Sequence, residues 1–202
     1  MRLDSEKSQG SQDQISMTNT SNNRAEIVSF DSEALILVDA DDKPVGELNK
    51  ADCHRIGGRR HRAFSLFIFN EKKELLIQKR AQGKALWAGY WSNSCCSHPR
   101  VGETTEVAVA RRSQEELGFS TDMEFIYKFE YTAHFENRGT EHELCSVFVG
   151  HYHGQPDINY EEISSCRWVS PDEVSAMLED DNTLTTPWFA MEWEQLQRRG
   201  LA

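Results

Sequence analysis

The sequence predicts a single mixed α/β domain, and three observations carry that expectation. Short apolar runs bounded by turn residues recur along the chain, among them 34–38 and 63–69, and read as strands. One helical stretch, 103–117, stands among them in mid-chain. Two proline-led stretches near the C-terminus read as closing helices. Strands, a central helix, more strands and terminal helices, with no internal repeat, fit one α/β domain. At 202 residues the chain suffices for one generous domain with its own core.

Residues 1–24 are rich in Ser, Gln, Asn and Thr without a hydrophobic period and predict a disordered polar tail, which leaves 25–202 as the domain. ALILV at 34–38, the turn-forming DADDKP and VGEL at 45–48 read as a hairpin. AFSLFIF and ELLIQKR, separated by Asn70-Glu71-Lys72-Lys73, read as a second hairpin. The mid-chain helix is closed by Gly118 in the C-cap position. Strands are expected at 124–135 and 141–152, joined through Asn137-Arg138-Gly139, and at 166–169. Pro171 and Pro187 open the last two helices, the second running to Arg199.

No apolar run approaches the roughly 20 residues of a membrane span, and the N-terminal stretch has no apolar signal core and carries acidic residues. A cytoplasmic protein is expected. The formal net charge of −11 argues against nucleic acid as a partner, because phosphate contacts need a basic face. An anionic small molecule stays possible where Lys and Arg gather locally or a cation is bound. Five cysteines, an odd number without paired zinc spacing, point to free thiols rather than disulfides.

Two places concentrate chemistry. Asn93-Ser94-Cys95-Cys96-Ser97-His98-Pro99 reads as a metal site, a nucleophile beside its base, or a packed turn. In Glu141-His142-Glu143 the two carboxylates share one face of a strand and the imidazole takes the other. Three imidazoles, His54, His61 and His98, together with Glu141 and Glu143, can close a near-octahedral site for Mn, Mg or a substituting Zn; otherwise the Glu pair is a solvated edge. On the mid-chain helix Ala108, Arg112, Glu115 and Glu116 share a side. Those carboxylates either hold a cation for a diphosphate or form surface i,i+4 pairs, Arg111 with Glu115 and Arg112 with Glu116.

This helix and the loop before it resemble the Nudix box, keeping Glu103, Arg111, Glu115, Glu116, Gly118 and Phe119 in register. The box is departed from at Ser97, where Gly is expected, at Arg112, where Glu is expected, and at Ser113, where an apolar residue is expected. Arg112 removes a carboxylate that holds metal in Nudix hydrolases, so the scaffold persists while the hydrolytic cluster is dismantled. Over residues 34–199 the chain resembles the type I isopentenyl-diphosphate isomerases. The landmarks are His54 and His61 ahead of AFSLFIFN, then QKRAQGKALWAGYWSNSCCSHP, RRSQEELG, EHELCSVF and TPWFAMEW.

The resemblance implies a Nudix fold and a role in isoprenoid precursor synthesis, in which isopentenyl and dimethylallyl diphosphate interconvert. It implies one divalent metal on His54, His61, His98, Glu141 and Glu143, and a second, Mg²⁺, with the substrate diphosphate, near Glu116 and the Cys96 carbonyl. It implies Cys96 as catalytic thiol, Glu143 as catalytic carboxylate and Tyr131 as the phenol beside it. Lys50, Arg80, Lys84 and Arg112 match the basic residues around the diphosphate. Trp193 matches an aromatic lining the hydrocarbon pocket, the alternative being ordinary packing of the last helix. Cys96 is expected to work as a thiolate, its pKa lowered by nearby cations; Cys95 reads as packing. Two rivals remain at this point: a Nudix hydrolase and a non-enzymatic diphosphate-binding domain. The resemblance implies a small prenyl diphosphate as the partner and says nothing of the oligomeric state.

Overall fold

A computed structural model describes residues 24–202, so the tail expected at 1–24 lies outside the described residues except for its last position. Arg24 is not tail: its guanidinium donates to the carbonyls of Asp157, Gln114 and Glu115. The order is β1 (Ala34–Val38), β2 (Pro44–Asn49), α1 (Lys50–Cys53), β3 (His61–Phe69), β4 (Leu75–Arg80), β5 (Trp91–Ser92), β6 (Cys95–Ser97), α2 (Thr105–Leu117), β7 (Met123–Phe135), β8 (Gly139–His151), β9 (Ile163–Val169), α3 (Pro171–Glu179) and α4 (Pro187–Arg198). The mixed α/β expectation holds. Among the described residues no helix is long and apolar enough to cross a membrane.

β3 organises the rest. Along one edge it pairs in parallel with β8 over its whole length, from His61 opposite Glu143 to Phe69 opposite His151, and β7 closes that side as an antiparallel hairpin with β8. Its other edge is shared by β1, β6 and β4 in turn. A strand paired on both edges and covered on both faces is largely apolar, and all but Arg62 of HRAFSLFIF is buried, with His61 and Ser65 its buried polar positions. Its alternation sorts the two layers. Phe64, Leu66 and Ile68 pack with Ala108, Val109 and Leu117 of α2. Phe67 and Phe69 pack with Val174 of α3 and Phe189, Trp193 and Leu196 of α4. The sheet is thus held between α2 on one face and α3 and α4 on the other.

The second hairpin is corrected by this topology. β3 and β4 meet at one residue pair, Phe69 with Leu75, and then part. β4 turns away to pair with β9 and β5, because β3 spends its length on β8 and β6. Three short elements escaped the sequence reading: α1, β5 and β6 have only four, two and three residues, too few for any periodicity to register.

α2 begins where Thr104 accepts the Val107 N–H and ends at Gly118, whose φ of +79° is left-handed. A Cβ there would also meet the Asp157 carbonyl oxygen at 2.6 Å. Gly118→Ala is therefore expected to lower unfolding free energy by about 2 kcal/mol, read by urea titration.

Candidate active site

Backbone register assembles the first cluster. The parallel β3–β8 pairing sets His61 opposite Glu143, and the strand alternation of β8 turns Glu141 to the same face. His54 caps α1, and its carbonyl accepts the Thr140 N–H at 3.0 Å, which ties that turn to the start of β8. His98 follows β6 directly. The three imidazole centroids form a near-equilateral triangle with sides of 4.9, 4.9 and 5.2 Å. One ligand atom from each of the five residues lies within 4.8 Å of all the others. His142, on the opposite face of β8, pairs with Glu130 instead.

The five residues fit a divalent metal. The His61 Nδ1 is 2.6 Å from the Arg59 carbonyl, which accepts its proton and leaves the Nε2 lone pair facing inward. Nε2 of His54 is 3.1 Å from that nitrogen and 3.0 Å from Glu141 Oε2. Burial holds all three imidazoles below their ordinary pKa: Lys50 and Arg80 add to the effect at His54, His54 adds to it at His61, and His61 and His54 add to it at His98. Neutral imidazoles are ligands rather than counter-ions. Glu141 Oε2 is buried without a well-directed hydrogen bond, a state that a cation would resolve.

Beside this cluster opens a cavity of about 460 Å³, lined by His54, His98, Glu141 and Glu143, with Cys96, Tyr131 and Trp188 on its walls. Tyr131 donates to Glu143 Oε2 at 2.7 Å, while Glu143 Oε1 lies 2.9 Å from His98 Nε2. Cys96 comes from β6, whose two cysteines alternate in direction. Cys95 enters the α2 core toward Glu116, and Cys96 faces the cavity. The Cys96 thiol donates to Asn93 Oδ1 at 2.8 Å and accepts the Trp188 indole N–H at 3.1 Å. Contrary to expectation, its pKa is not lowered. Burial and then the Glu192 carboxyl push it up to about 12, with Arg80 the opposing cation, so the protein by itself keeps Cys96 as the thiol.

The basic residues matched to a diphosphate site, Lys50, Arg80, Lys84 and Arg112, all contribute to the cavity lining. Burial, reinforced by Lys84 and Arg112, brings the Lys50 ammonium down to about 8. The α2 helix pairs are both present, but the second is no surface pair. Arg112 is buried and donates to Glu116 Oε1 through Nε at 3.0 Å and Nη2 at 2.6 Å. Glu116 stands apart from the five clustered ligands.

Trp193 is a correction. Its ring packs in the core against α3, its indole N–H donates to Ser175 Oγ at 3.1 Å, and it does not reach the cavity. The aromatic wall is Trp188, one and a half helical turns earlier on α4, where the sequence offers two tryptophans five residues apart and nothing to choose between them. Glu192, on α4 between them, also escaped notice. Fully buried near Ser65 and Cys145, it leaves Oε2 without a partner. Burial first, then Glu143, raises its pKa to about 8.

A stability prediction follows from Glu192. The folded carboxyl keeps its proton to about pH 8, whereas the unfolded one releases it near its ordinary 4.5. Its stabilising contribution is whole below that lower pH and fades as pH rises through 8, by up to ~1.4 kcal/mol per pH unit. In urea titrations from pH 5 to 9, Glu192→Gln should therefore gain on the wild type up to about pH 8 and level off above it; a constant difference throughout would mean the carboxyl is already ionised.

Residues 59–189 match the NUDIX domain family. The chain is 46% identical over 166 residues to isopentenyl-diphosphate Delta-isomerase 1 of Photorhabdus laumondii, covering 81% of this chain and 94% of that one. It is 38% identical to isopentenyl-diphosphate Delta-isomerase of Burkholderia multivorans, covering 84% and 94%. Of solved structures, DR0079 from Deinococcus radiodurans superposes with a TM-score of 0.67 at 22% identity, over 81% of this chain and 98% of that one. The MutT protein of Methanosarcina mazei does so at 0.59 and 21%, over 71% and 96%, and both likenesses concern the fold. Helix α2, the five-ligand cluster and the thiol-bearing cavity thus fall within a chain that belongs to the Nudix family and, inside it, to the isopentenyl-diphosphate Delta-isomerases.

Proposed function

We propose that this chain is a metal-dependent isopentenyl-diphosphate Delta-isomerase of the cytoplasm, supplying isoprenoid precursors. The observation that carries the reading is two sets of proton carriers lining one cavity: the Cys96 thiol on β6, and Glu143 with Tyr131 on the β7–β8 hairpin. Isomerisation adds a proton to the terminal methylene carbon of isopentenyl diphosphate and removes one from C2, leaving the electron pair as the new double bond. One wall gives a proton while the other accepts one, and exchange with solvent restores the starting state. A reversible enzyme needs both walls to serve either way.

An alkene is a weak base, so the acid must be held in place and water kept away from the tertiary carbocation that forms. Trp188 does both jobs. Its N–H fixes Cys96, and its ring, 6.0 Å from that of Tyr131, offers the cation a π face. Tyr131, its pKa raised well above the ordinary value by burial and by Glu143, keeps its hydroxyl proton and hands it toward Glu143. The ligand set of three imidazoles and two carboxylates suits Mn²⁺, Mg²⁺ or Zn²⁺. When bound, that ion orients Glu143 and sets how readily the Glu143–Tyr131 pair parts with a proton.

On the same cavity, Lys50, Arg80, Lys84 and Arg112 are assigned to the diphosphate. Mg²⁺ carried by that diphosphate would be held by Glu116 and the Cys96 backbone carbonyl. The free state of all five cysteines supports a reducing compartment.

Incubating the protein with isopentenyl diphosphate and Mg²⁺ in heavy water should give deuterated dimethylallyl diphosphate without phosphate release. Phosphate or pyrophosphate release would instead identify a hydrolase, and binding without turnover a passive domain. Cys96→Ala should cut turnover by ~10²-fold or more at unchanged metal content, measured by atomic emission. Retained turnover would remove Cys96 from the chemistry.

A further inference from the structure

Glu162 has no place in the chemistry above, yet it sits among the cations assigned to the diphosphate. It lies in the turn before β9, is 3% exposed, and forms part of the cavity lining. Its Oε2 takes the Lys84 ammonium in a close ion pair and lies 3.3 Å from Arg112 Nη2. The backbone ties Glu162 to the Lys84 turn, where the Ala81 N–H donates to the Glu162 carbonyl at 3.0 Å. Arg112 is in turn shared with Glu115 and Glu116. Burial would raise the Glu162 pKa, but Lys84 and Arg112, helped by Lys50, overcome it and hold the carboxyl down near 2.

We infer that Glu162 is a positioning residue that stands in for the substrate's diphosphate, neutralising Lys84 and Arg112 until the diphosphate displaces its carboxylate. The inference rests on the diphosphate reading of the cavity. The physical reason is the cost of uncompensated buried charge. Lys50, Lys84 and Arg112 disfavour one another: burial depresses the Lys50 ammonium, and Lys84 and Arg112 add to it. A resident carboxylate keeps them charged and aligned. It also weakens diphosphate binding, since each incoming phosphate oxygen competes with an anion already in place, and product departs more easily when that anion returns.

Calorimetric titration with inorganic pyrophosphate in Mg²⁺ buffer tests this, using the full chain, Glu162→Gln and Glu162→Asp. Removing the charge should tighten pyrophosphate binding ~10-fold, and withdrawing the carboxylate by one methylene should tighten it ~3-fold, so either variant alone decides if the other fails to fold. In the Gln variant the KM for isopentenyl diphosphate should fall while kcat does not rise. Equal or weaker pyrophosphate binding by the variants would overturn the inference and make Glu162 a scaffold for the two cations. A wild type that binds no pyrophosphate would instead overturn the diphosphate reading itself.

Discussion

The parallel pairing of β3 with β8 is the constraint on which the rest depends. It joins residues some eighty positions apart and places His61 opposite Glu143 and Ser65 opposite Val147. Because strand side chains alternate with period two, a slip of one residue would turn Glu141 and Glu143 to the other face, where His142 now stands. The same slip would turn His142 toward His61 in place of the two carboxylates. Register here is set by the core: Phe67 and Val147 must meet α4, and Phe64 and Phe148 must meet α2. Apolar burial on two faces thus fixes the position of His61, Glu141 and Glu143, three of the five groups that could hold a metal.

The same alternation explains the adjacent cysteines. β6 pairs with the middle of β3, so Cys95 and Cys96 point to opposite layers. One is enclosed with Ala108 and Leu117, and the other meets Trp188 and the cavity. Around Cys96 the protein supplies hydrogen bonds but little net positive charge. Burial and Glu192 oppose thiolate formation, so what the fold provides is a positioned proton rather than an activated nucleophile. The same cavity carries four cations, held in an acidic protein by a few inward carboxylates.

Much of this was legible in the sequence because it rests on local rules. The i,i+2 spacing of Glu141 and Glu143 states their common face, Gly118 states the end of α2, and Pro171 and Pro187 open helices where they were expected. The ligand set and Cys96 came from motif resemblance, since nothing local says that His54, His61 and His98 converge. What escaped depended on distant contacts. Trp188 and Trp193 are both aromatic residues on one helix, and only the direction of α4 against the sheet decides which meets the cavity. Glu162 and Glu192 look like surface carboxylates in a chain full of them, and their burial follows from tertiary packing alone. The thiol's raised pKa is likewise a property of its enclosure.

The central claim is that the β3–β8 register, with α1 and β6 packed beside it, gathers His54, His61, His98, Glu141 and Glu143 into a metal centre. Anomalous diffraction from crystals grown with Mn²⁺ tests it most directly. The account predicts one strong peak at bonding distance, roughly 2.0–2.3 Å, from the three Nε2 atoms and from an oxygen of each carboxylate. A metal peak at Glu115 and Glu116 of α2, with none among the histidines, would contradict it.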